Sequence, residues 1–417
     1  MGSISAGRAA VGGAREESWF SALGVKGRRA FRAAYAGYML DAFDLIVLTL
    51  SLTAIGTTFD VGTGATGALS TVTLSASAVG GVLGGVLADR IGRARTLMLS
   101  VAVYSAFTFL SGLASSYAML MTFRVFQGIG FGAEWGVGAV LVAELVRPSS
   151  RGRALGVIQS AWAVGWFIAV CAYLLAFELF AEETAWRVLM CLGLLPALLI
   201  LYVRRRVEDP EVFRSAAKPD VVPLREILSG RLLRVTVAAS LLATGIQGGY
   251  YAMFTWIPTY LKQERDLTVV GTSGYLFVVI AGAFLGYLCA GWVHDRIGRR
   301  QAFALFALLA GAALVLYFSV SSNTALLLVG FPLGFFASGC FSGFGSYLSE
   351  LYPTHARGTG GGFCYNVGRG IGALFPGVIG FLASAVGLGG AIAFGVFGYV
   401  LAVAALAFLP ETSGRDL

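Results

Sequence analysis

The chain has 417 residues, of which 57% are hydrophobic and only 12% are charged, and its mean hydropathy is +0.79. In a soluble domain about a quarter of the residues are charged, so this composition excludes an ordinary soluble globular protein. The 57 glycines show no Gly-X-Y period and fit a helical membrane protein, in which glycine lets helices pack closely.

The first 32 residues form a basic segment that contains six Lys and Arg residues and no apolar run. A secretory signal peptide needs such a run, so residues 1–32 are predicted to be a cytoplasmic N-terminal segment.

Twelve apolar segments follow, each close to the roughly 20 residues that a membrane-spanning helix requires. They lie at about 33–56, 68–88, 96–115, 118–146, 154–179, 186–203, 235–261, 271–294, 301–320, 323–349, 358–384 and 387–409. An even number of spans returns the C-terminal tail, 411–417, to the side of the N-terminus.

The distribution of Lys and Arg gives the orientation. Of the 30 residues, 25 fall on the side of the termini, three fall on the other side and two lie inside spans. Positive charge is retained on the cytoplasmic side, so we expect a multi-pass protein of the inner (plasma) membrane with both termini cytoplasmic. This topology accounts for the pI of about 9.4 and makes a nucleic-acid partner unnecessary.

A polar stretch at 204–234 divides the spans into two sets of six. It predicts a cytoplasmic linker between two helical bundles, 33–203 and 235–410. The two sets repeat at an offset of 206 residues: GVLADRIGRAR from Gly85 matches GWVHDRIGRRQ from Gly291, and Glu144 matches Glu350. We therefore expect parallel repeats, related by an axis along the membrane normal.

The five cysteines fall in apolar stretches without a C-x-x-C pair, which predicts buried free thiols and no metal site. No P-loop is present, so direct coupling to ATP is not expected, and no cofactor is predicted.

The G-x-x-x-D-R-x-G-R pattern between spans 2 and 3 and the R-x-x-x-G-x-G-x-G run from Arg124 resemble the major facilitator superfamily over residues 30–412. Three sequence segments are most similar to its sialate and lactate proton symporter branch: MLDAFD, GAEWGVGAVLVAE and FCYNVGRGIGALFP. The resemblance implies an all-α fold of twelve transmembrane helices in two six-helix bundles, which transports a solute and is not an enzyme.

Five ionisable residues lie inside the spans, where charge is costly and marks functional sites: Asp41, Asp44, Arg124, Glu134 and Arg369. Counting about 1.5 Å per helical residue from the nearest basic loop places Asp44, Glu134 and Arg369 near the midplane. Asp41, Asp44 and Glu134 are candidate proton carriers. Arg124 is either part of this coupling or a structural partner of an Asp in span 1.

Arg369 is predicted to hold a substrate carboxylate through two parallel hydrogen bonds, unless Asp44 or Glu134 neutralises it. Tyr365 and Asn366 precede it on span 11 and are either ligand contacts or interhelical hydrogen-bonding residues. Polar and aromatic side chains at turn spacing give further cavity-lining candidates: Gln159, Trp162 and Trp166 in span 5, and Gln247, Tyr250, Tyr251 and Trp256 in span 7.

The acidic and basic residues at the loop motif form a predicted gate on the cytoplasmic side. In the superfamily that this chain resembles, the Asp of the motif helps to hold the two bundles together in one conformation. The residues predicted for this role are Asp89, Arg93, Glu144, Asp295, Arg299 and Glu350.

These observations predict a proton-coupled symporter that imports a small organic anion, with a carboxylate favoured, by alternating access. We expect it to work as a monomer in the lipid bilayer. The alternatives are a sugar or polyol permease or an exporter of the same superfamily, and a membrane receptor that transports nothing.

Overall fold

The structure is a computed structural model that describes residues 20–21, 23–91, 93–145, 151–197, 224–353 and 356–412. Within these ranges the chain is helical apart from turns and short connections, and no strand occurs in them. Long apolar helices satisfy every backbone hydrogen bond internally, which the hydrocarbon core of a membrane demands.

The described part of the first half contains six helices, and the described part of the second half begins with a short one. The bounds in the first half are α1 Gly24–Phe59, α2 Thr63–Ile91, α3 Arg93–Gly112, α4 Tyr117–Leu145, α5 Arg151–Leu179 and α6 Glu182–Leu192. The second half starts with α7 Leu224–Ile227, α8 Gly230–Gln263, α9 Val269–Ile297 and α10 Arg299–Ser319.

The last three spans are broken helices. Their parts are α11 Asn323–Gly339, a 3₁₀ turn Cys340–Gly343 and α12 Phe344–Glu350; α13 Arg357–Gly372 and α14 Leu374–Val386; and α15 Leu388–Ala393 and α16 Val396–Leu406. The break between α13 and α14 has a local cause, because Pro376 has no N–H to donate to Gly372 four residues earlier.

Nine helical segments of the described chain are long and apolar enough to cross a membrane. Each of the twelve predicted spans overlaps one helix or one broken pair, so the all-α membrane fold is confirmed. Large apolar side chains point outward where lipid would lie, for example Phe381 and Phe408, which are 79% and 78% exposed. The predicted linker lies mostly at 198–223, outside the described residues, so the exact bundle boundaries stay a prediction.

Equivalent glycine contacts show that the two halves are structural repeats. A Cβ on Gly80 would lie 2.0 Å from the carbonyl oxygen of Ile129, and one on Gly286 would lie 2.2 Å from that of Phe335. Both the glycine and its neighbour are displaced by 206 residues, the offset found in the sequence. The α2–α4 pair therefore packs backbone to backbone in the way that α9 and α11 do.

The two bundles meet along α2 with α13 and α14, and along α5 with α9. We call the end of the molecule at the α9–α10 turn, Ile297–Arg299, the basic face, and the end at the α1–α2 turn, Asp60–Gly62, the outer face. Because α1 runs from the basic towards the outer face, depth along it can be read from residue number.

The outer face is closed by contacts between the bundles. Thr63 Oγ1 donates to the carbonyl oxygen of Gly380 at 3.0 Å, and Gly377 N donates to Thr71 Oγ1 at 3.0 Å. Lys262 of α8 forms an ion pair with Glu182 of α6 at 3.0 Å.

One expectation about the cysteines is wrong. All five are free thiols, but only Cys340 and Cys364 are buried, whereas Cys289 is exposed. An apolar stretch on a membrane helix has a lipid-facing side, so an apolar context alone does not predict burial.

Candidate substrate and proton site

Helix α1 carries Tyr38, Asp41 and Asp44 at turn spacing, so the three side chains project from one face. Both carboxylates are fully buried and Tyr38 is 7% exposed. Helix α4 packs against α1 and carries Arg124, Gln127 and Phe131 at the matching spacing. Two clusters of side chains lie between these faces, one around Asp44 and one around Arg369.

The first cluster surrounds Asp44. Gln127 Nε2 donates to Asp44 Oδ2, and Thr108 of α3, whose hydroxyl donates to the carbonyl oxygen of Tyr104, lies near the same carboxylate. Arg124 interacts with Asp44 electrostatically, and its Nη2 donates to the sulfur of Met190. Arg124, Asp44 and Gln127 are all 0% exposed.

Asp44 and Arg124 attract each other without forming one of the salt bridges found among the described residues. Asp44 Oδ1 and the Nε and Nη1 atoms of Arg124 have no hydrogen-bond partner in the described part of the chain. A carboxylate with an unused oxygen can accept a proton without breaking an existing hydrogen bond. The arrangement is therefore chemically suited to reversible protonation.

The second cluster surrounds Arg369 of α13, which is 3% exposed. Its Cζ lies 5.1 Å from the ring centroid of Tyr365 in its own bundle and 5.5 Å from that of Phe131 in the other bundle. Tyr365, Tyr251 and Tyr38 interact electrostatically with the guanidinium. Residues of both bundles thus meet around one buried cation.

A layer of aromatic rings continues from this cation across the bundle interface. Trp162 of α5 lies 5.4 Å from Tyr38 between ring centroids, and its Nε1 donates to the hydroxyl of Tyr250 at 3.1 Å. Tyr250 lies 4.9 Å from Phe341 and 5.6 Å from Phe254 between ring centroids. We call Tyr38, Phe131, Trp162, Tyr250, Phe254, Phe341 and Tyr365 the aromatic layer.

The structure brings Arg369, Tyr365, Trp162 and Tyr250 together, as the sequence suggests. Gln247 joins them as a structural tie: its Nε2 donates to the carbonyl oxygen of Tyr365 at 3.0 Å, and its Oε1 accepts from Tyr251 at 3.1 Å.

The remaining substrate candidates have other surroundings. Asn366 donates to the carbonyl oxygen of Gly362 in its own helix and packs against Gly81 of α2, so it lies at the contact between α13 and α2. Gln159 is 6% exposed on α5, three residues before Trp162. Glu134 is part of α4, but its side chain lies outside the described residues. Its pairing with Arg369 therefore stays a prediction.

The structure describes the half of the predicted gate that belongs to the second bundle. Arg299 pairs with Asp295, and its Nη2 lies 3.2 Å from Glu350 Oε1. Thr412 donates to Glu350, and Glu411 accepts from the N–H groups of Arg299 and Arg300, which begin α10. These contacts join helices of the second bundle to one another. The side chains of Asp89, Arg93 and Glu144 lie outside the described residues.

Several residues that contact the two clusters or the aromatic layer are absent from the sequence-based candidates, namely Thr108, Gln127, Phe131, Tyr287 and Phe341. Gln127 and Phe131 follow Arg124 by three and seven residues, so helical spacing alone would have placed them on its face. Nothing in the sequence singles out Phe341, which the 3₁₀ turn brings to Tyr250.

A family model described as Major Facilitator Superfamily matches residues 34–375 and 276–416. The chain is 37% identical to a "Probable 4-methylmuconolactone transporter" of Cupriavidus pinatubonensis, covering 95% of this chain and 94% of that one. It is 30% identical to a "Cis,cis-muconate transport protein" of Acinetobacter baylyi, covering 92% and 94%. A structure titled as the xylose transporter XylE from E. coli is similar at a TM-score of 0.71 and 17% identity, covering 96% of this chain and 100% of that one.

Proposed function

The chain belongs to the Major Facilitator Superfamily, and from this premise we propose that it is a proton-coupled symporter that imports a small organic acid by alternating access. It is a multi-pass membrane transporter, not an enzyme. Relatives that share most of its length are named for organic acids, among them muconate and a muconolactone. The observation that carries the proposal is Arg369, a buried guanidinium in contact with both bundles.

The substrate carboxylate binds Arg369. A guanidinium is planar and offers parallel N–H groups that match the two oxygens of a carboxylate. Charge inside a membrane span is costly, about 2.5 to 3.5 kcal/mol for Arg at the centre of a helix, and such residues mark substrate pathways. A neutral sugar would gain little from a cation at this position.

The proton binds at Asp44, with Arg124 as the neighbouring charge. Six residues of α1 separate Tyr38 of the Arg369 cluster from Asp44, which corresponds to about 9 Å along the helix axis. Asp44 lies farther than Tyr38 from the basic face. With the basic face in the cytoplasm of a plasma-membrane protein, an entering proton reaches the level of Asp44 before that of the substrate. Asp41 lies one turn from Tyr38 and one turn from Asp44 on the same face of α1.

Transport in proteoliposomes tests the proposal. Liposomes containing purified protein and unlabelled nicotinate should take up radiolabelled nicotinate by counterflow at neutral pH. In liposomes without internal substrate, an inward proton gradient should drive accumulation that a protonophore abolishes. Protein-free liposomes and Arg369→Ala protein are the controls for passive permeation. Counterflow of xylose without counterflow of any organic acid would overturn the proposal, and accumulation that ignores the protonophore would remove its proton-coupled part.

A further inference from the structure

We propose that Gln127 of α4 is a positioning residue for the proton: its amide donates a hydrogen bond to Asp44 when that carboxylate is ionised and accepts one when it is protonated. This inference rests on the proposed function and adds a second residue to the proton site. It comes from the enclosure of the Asp44 cluster, from the hydrogen-bonding capacity of its members and from the atoms that they leave unpaired.

The Asp44 cluster lies inside the first bundle. Helix α1 contributes Asp44, α3 contributes Thr108, α4 contributes Arg124 and Gln127, and α6 contributes Met190. Thr108 is 1% exposed and the other four are 0% exposed. A buried polar group loses its hydrogen bonds to bulk water, so the neighbouring side chains have to supply partners for both protonation states of the carboxyl group.

Close backbone packing fixes the position of Gln127. The next residue on α4 is Gly128, where a Cβ would lie 2.3 Å from the carbonyl oxygen of Thr73 on α2. A Cβ on Gly130 would lie 2.7 Å from the backbone N of Tyr104 on α3. Helix α4 is therefore held between α2 and α3 at this level. An adjustment to the protonation of Asp44 thus falls to the side chain of Gln127 and not to its backbone.

The three polar neighbours of Asp44 differ in what they can do. A neutral carboxylic acid has an O–H group that needs an acceptor, whereas the guanidinium of Arg124 has only donors. The hydroxyl of Thr108 donates its single hydrogen to the carbonyl oxygen of Tyr104 at 2.9 Å, which leaves only its oxygen for Asp44. The amide of Gln127 has an NH₂ group that donates and a carbonyl oxygen that accepts. Of these three neighbours, Gln127 alone offers Asp44 both a donor and an acceptor.

The unpaired atoms of the two side chains fit this role. Gln127 Nε2 donates to Asp44 Oδ2, whereas Gln127 Oε1 and Asp44 Oδ1 have no hydrogen-bond partner in the described part of the chain. Protonation gives Asp44 an O–H group, which can donate to Gln127 Oε1. The ionised pair then has one hydrogen bond and the neutral pair has two, so the same two side chains satisfy both states.

The surroundings also set the expected effect of removing the amide. Arg124 is the charged group that faces Asp44 from α4, whereas α3 contributes a hydroxyl group and α6 a thioether. Asp41 and Tyr38 are the next ionisable residues along α1. The Nε and Nη1 atoms of Arg124 are unpaired and can replace a lost donor, but they cannot replace a lost acceptor. Removal of the amide should therefore destabilise the neutral form more than the ionised form.

Infrared difference spectroscopy of purified full-length protein in detergent tests the inference. A carboxyl band that appears on acidification and is missing in Asp44→Asn reports protonated Asp44. Gln127→Met keeps the length of the side chain and removes its hydrogen-bonding groups. We expect the pH midpoint of the band to fall by about one unit in this variant, as for the loss of one hydrogen bond. The band should also move to higher frequency, because the O–H group has lost its acceptor. In proteoliposomes, the dependence of proton-driven accumulation on external pH should shift in the same direction.

A second measurement uses the parent protein and does not depend on the folding of Gln127→Met. With carbon-13 in the side-chain carbonyl groups of glutamine, an amide band should shift at the same pH midpoint as the carboxyl band, and this shift should be absent in Asp44→Asn. Thr122→Val is the matched control on α4, because its hydroxyl is exposed and donates to Ala118 of its own helix. It should leave the midpoint and the frequency unchanged. Monodisperse elution and thermal unfolding close to that of the parent protein establish that each variant is folded.

The possible outcomes separate this inference from the proposed function. A midpoint that rises in Gln127→Met would show that the amide only donates to the ionised carboxylate, and an amide band that does not move when Asp44 is protonated would show that it never accepts. A midpoint unchanged in Gln127→Met and lowered in Thr108→Val would assign the acceptor to Thr108. Each of these results overturns the role of Gln127 and leaves the symporter intact, provided that accumulation still depends on the proton gradient. Accumulation by the parent protein that ignores a protonophore would overturn the proton-coupled part of the proposed function itself.

Discussion

Asp44 and Arg369 are both ionisable and almost completely buried inside a membrane protein, where a charge carries a high free-energy cost. Under the proposed function, their surroundings suit them to different tasks. Asp44 has an amide donor and a neighbouring cation, which suit a group that gains and loses a proton. Arg369 has aromatic rings and hydroxyl groups around it, which suit a permanent cation that receives an anion.

Neutralising Asp44 should uncouple transport. Asp44→Asn keeps the shape of the side chain and removes proton binding, so we expect counterflow to persist while accumulation driven by a proton gradient is lost. Both can be measured in the same proteoliposomes. Asp41→Asn is the matched control on the same face of α1. If Asp44→Asn still accumulates substrate against its gradient and Asp41→Asn does not, the proton site is Asp41.

Replacing Arg369 should weaken anion binding whatever the replacement. Arg369→Ala removes the charge, and Arg369→Lys keeps it but cannot form two parallel hydrogen bonds to a carboxylate. We expect both variants to lose at least about tenfold in affinity for nicotinate, as for a charge-assisted bond worth about 1.5 to 3 kcal/mol. Titration calorimetry checks this. Near-normal affinity in Arg369→Ala would show that the anion is held by another residue.

The sequence identifies the charged residues of the site because each interrupts an apolar span. It does not identify Gln127, Phe131 or Phe341, since neutral and aromatic residues are ordinary in such helices. Their roles depend on which helix faces are in contact. For Asn366 the sequence leaves a ligand contact and a role between helices open, and the structure places this residue at the contact between α13 and α2.

At the level of helices, α2 and α14 form the seam that closes the outer face. Thr63, Gly67 and Thr71 lie on one side of α2 at four-residue spacing, opposite Pro376, Gly377 and Gly380. A Cβ on Gly67 would lie 2.9 Å from both the carbonyl oxygen of Pro376 and the ring of Trp256. A side chain at this position would therefore force the two sides of the closed seam to shift.

Gly67→Leu should hold the protein open at the outer face. The added side chain has no space in the closed arrangement, and overpacking of this kind typically costs about 1 to 3 kcal/mol. That cost falls on the closed state alone, so the open state gains population. We expect faster alkylation of a single cysteine introduced at Thr66, in a background without the native cysteines, and slower counterflow. Gly64→Leu is the control, since its nearest contact is 3.7 Å away at the flexible Phe381 ring. An unchanged alkylation rate in Gly67→Leu would contradict the gating role of the seam.

The twelve spans follow from hydropathy, but the breaks in the last three do not. Hydropathy averages over about twenty residues, whereas the break at Gly372–Leu374 depends on one missing N–H at Pro376. Proline in a predicted span does not by itself mark a break, because Pro258 and Pro332 lie inside the continuous helices α8 and α11. The 3₁₀ turn begins at Cys340, eight residues after Pro332.

Across the whole molecule, the repeat relates two halves of different chemistry. The offset of 206 residues carries Asp41 onto Gln247 and Asp44 onto Tyr250. The acidic face of α1 thus corresponds to an uncharged, hydrogen-bonding face of α8. The glycine contacts and the charged loop motif are retained in both halves, whereas the charges inside the spans are not, which separates the scaffold from the functional groups that it carries.

The Lys262–Glu182 ion pair spans the two bundles and should bias the whole transporter. Glu182 is 55% exposed, so the pair is worth no more than about 1 kcal/mol. Glu182→Lys should increase alkylation of the same cysteine at Thr66 by a few-fold, because two like charges then oppose closure. The double variant Glu182→Lys with Lys262→Glu should restore the parent rate. A double variant no different from Glu182→Lys would show that the pairing does not affect closure.

Because Trp162 donates a hydrogen bond to Tyr250 across the bundle interface, its intrinsic fluorescence should report on the separation of the bundles. The indole emission of Trp162 depends on the polarity around it, and separation of the bundles would expose this ring to water. Ligand binding and opening should therefore change the intrinsic fluorescence, and the difference between the parent protein and Trp162→Phe gives the part of that change that comes from Trp162, since Trp256 in the outer seam also changes its surroundings. Stopped-flow mixing with unlabelled acid would then follow the conformational cycle in real time, without any attached dye.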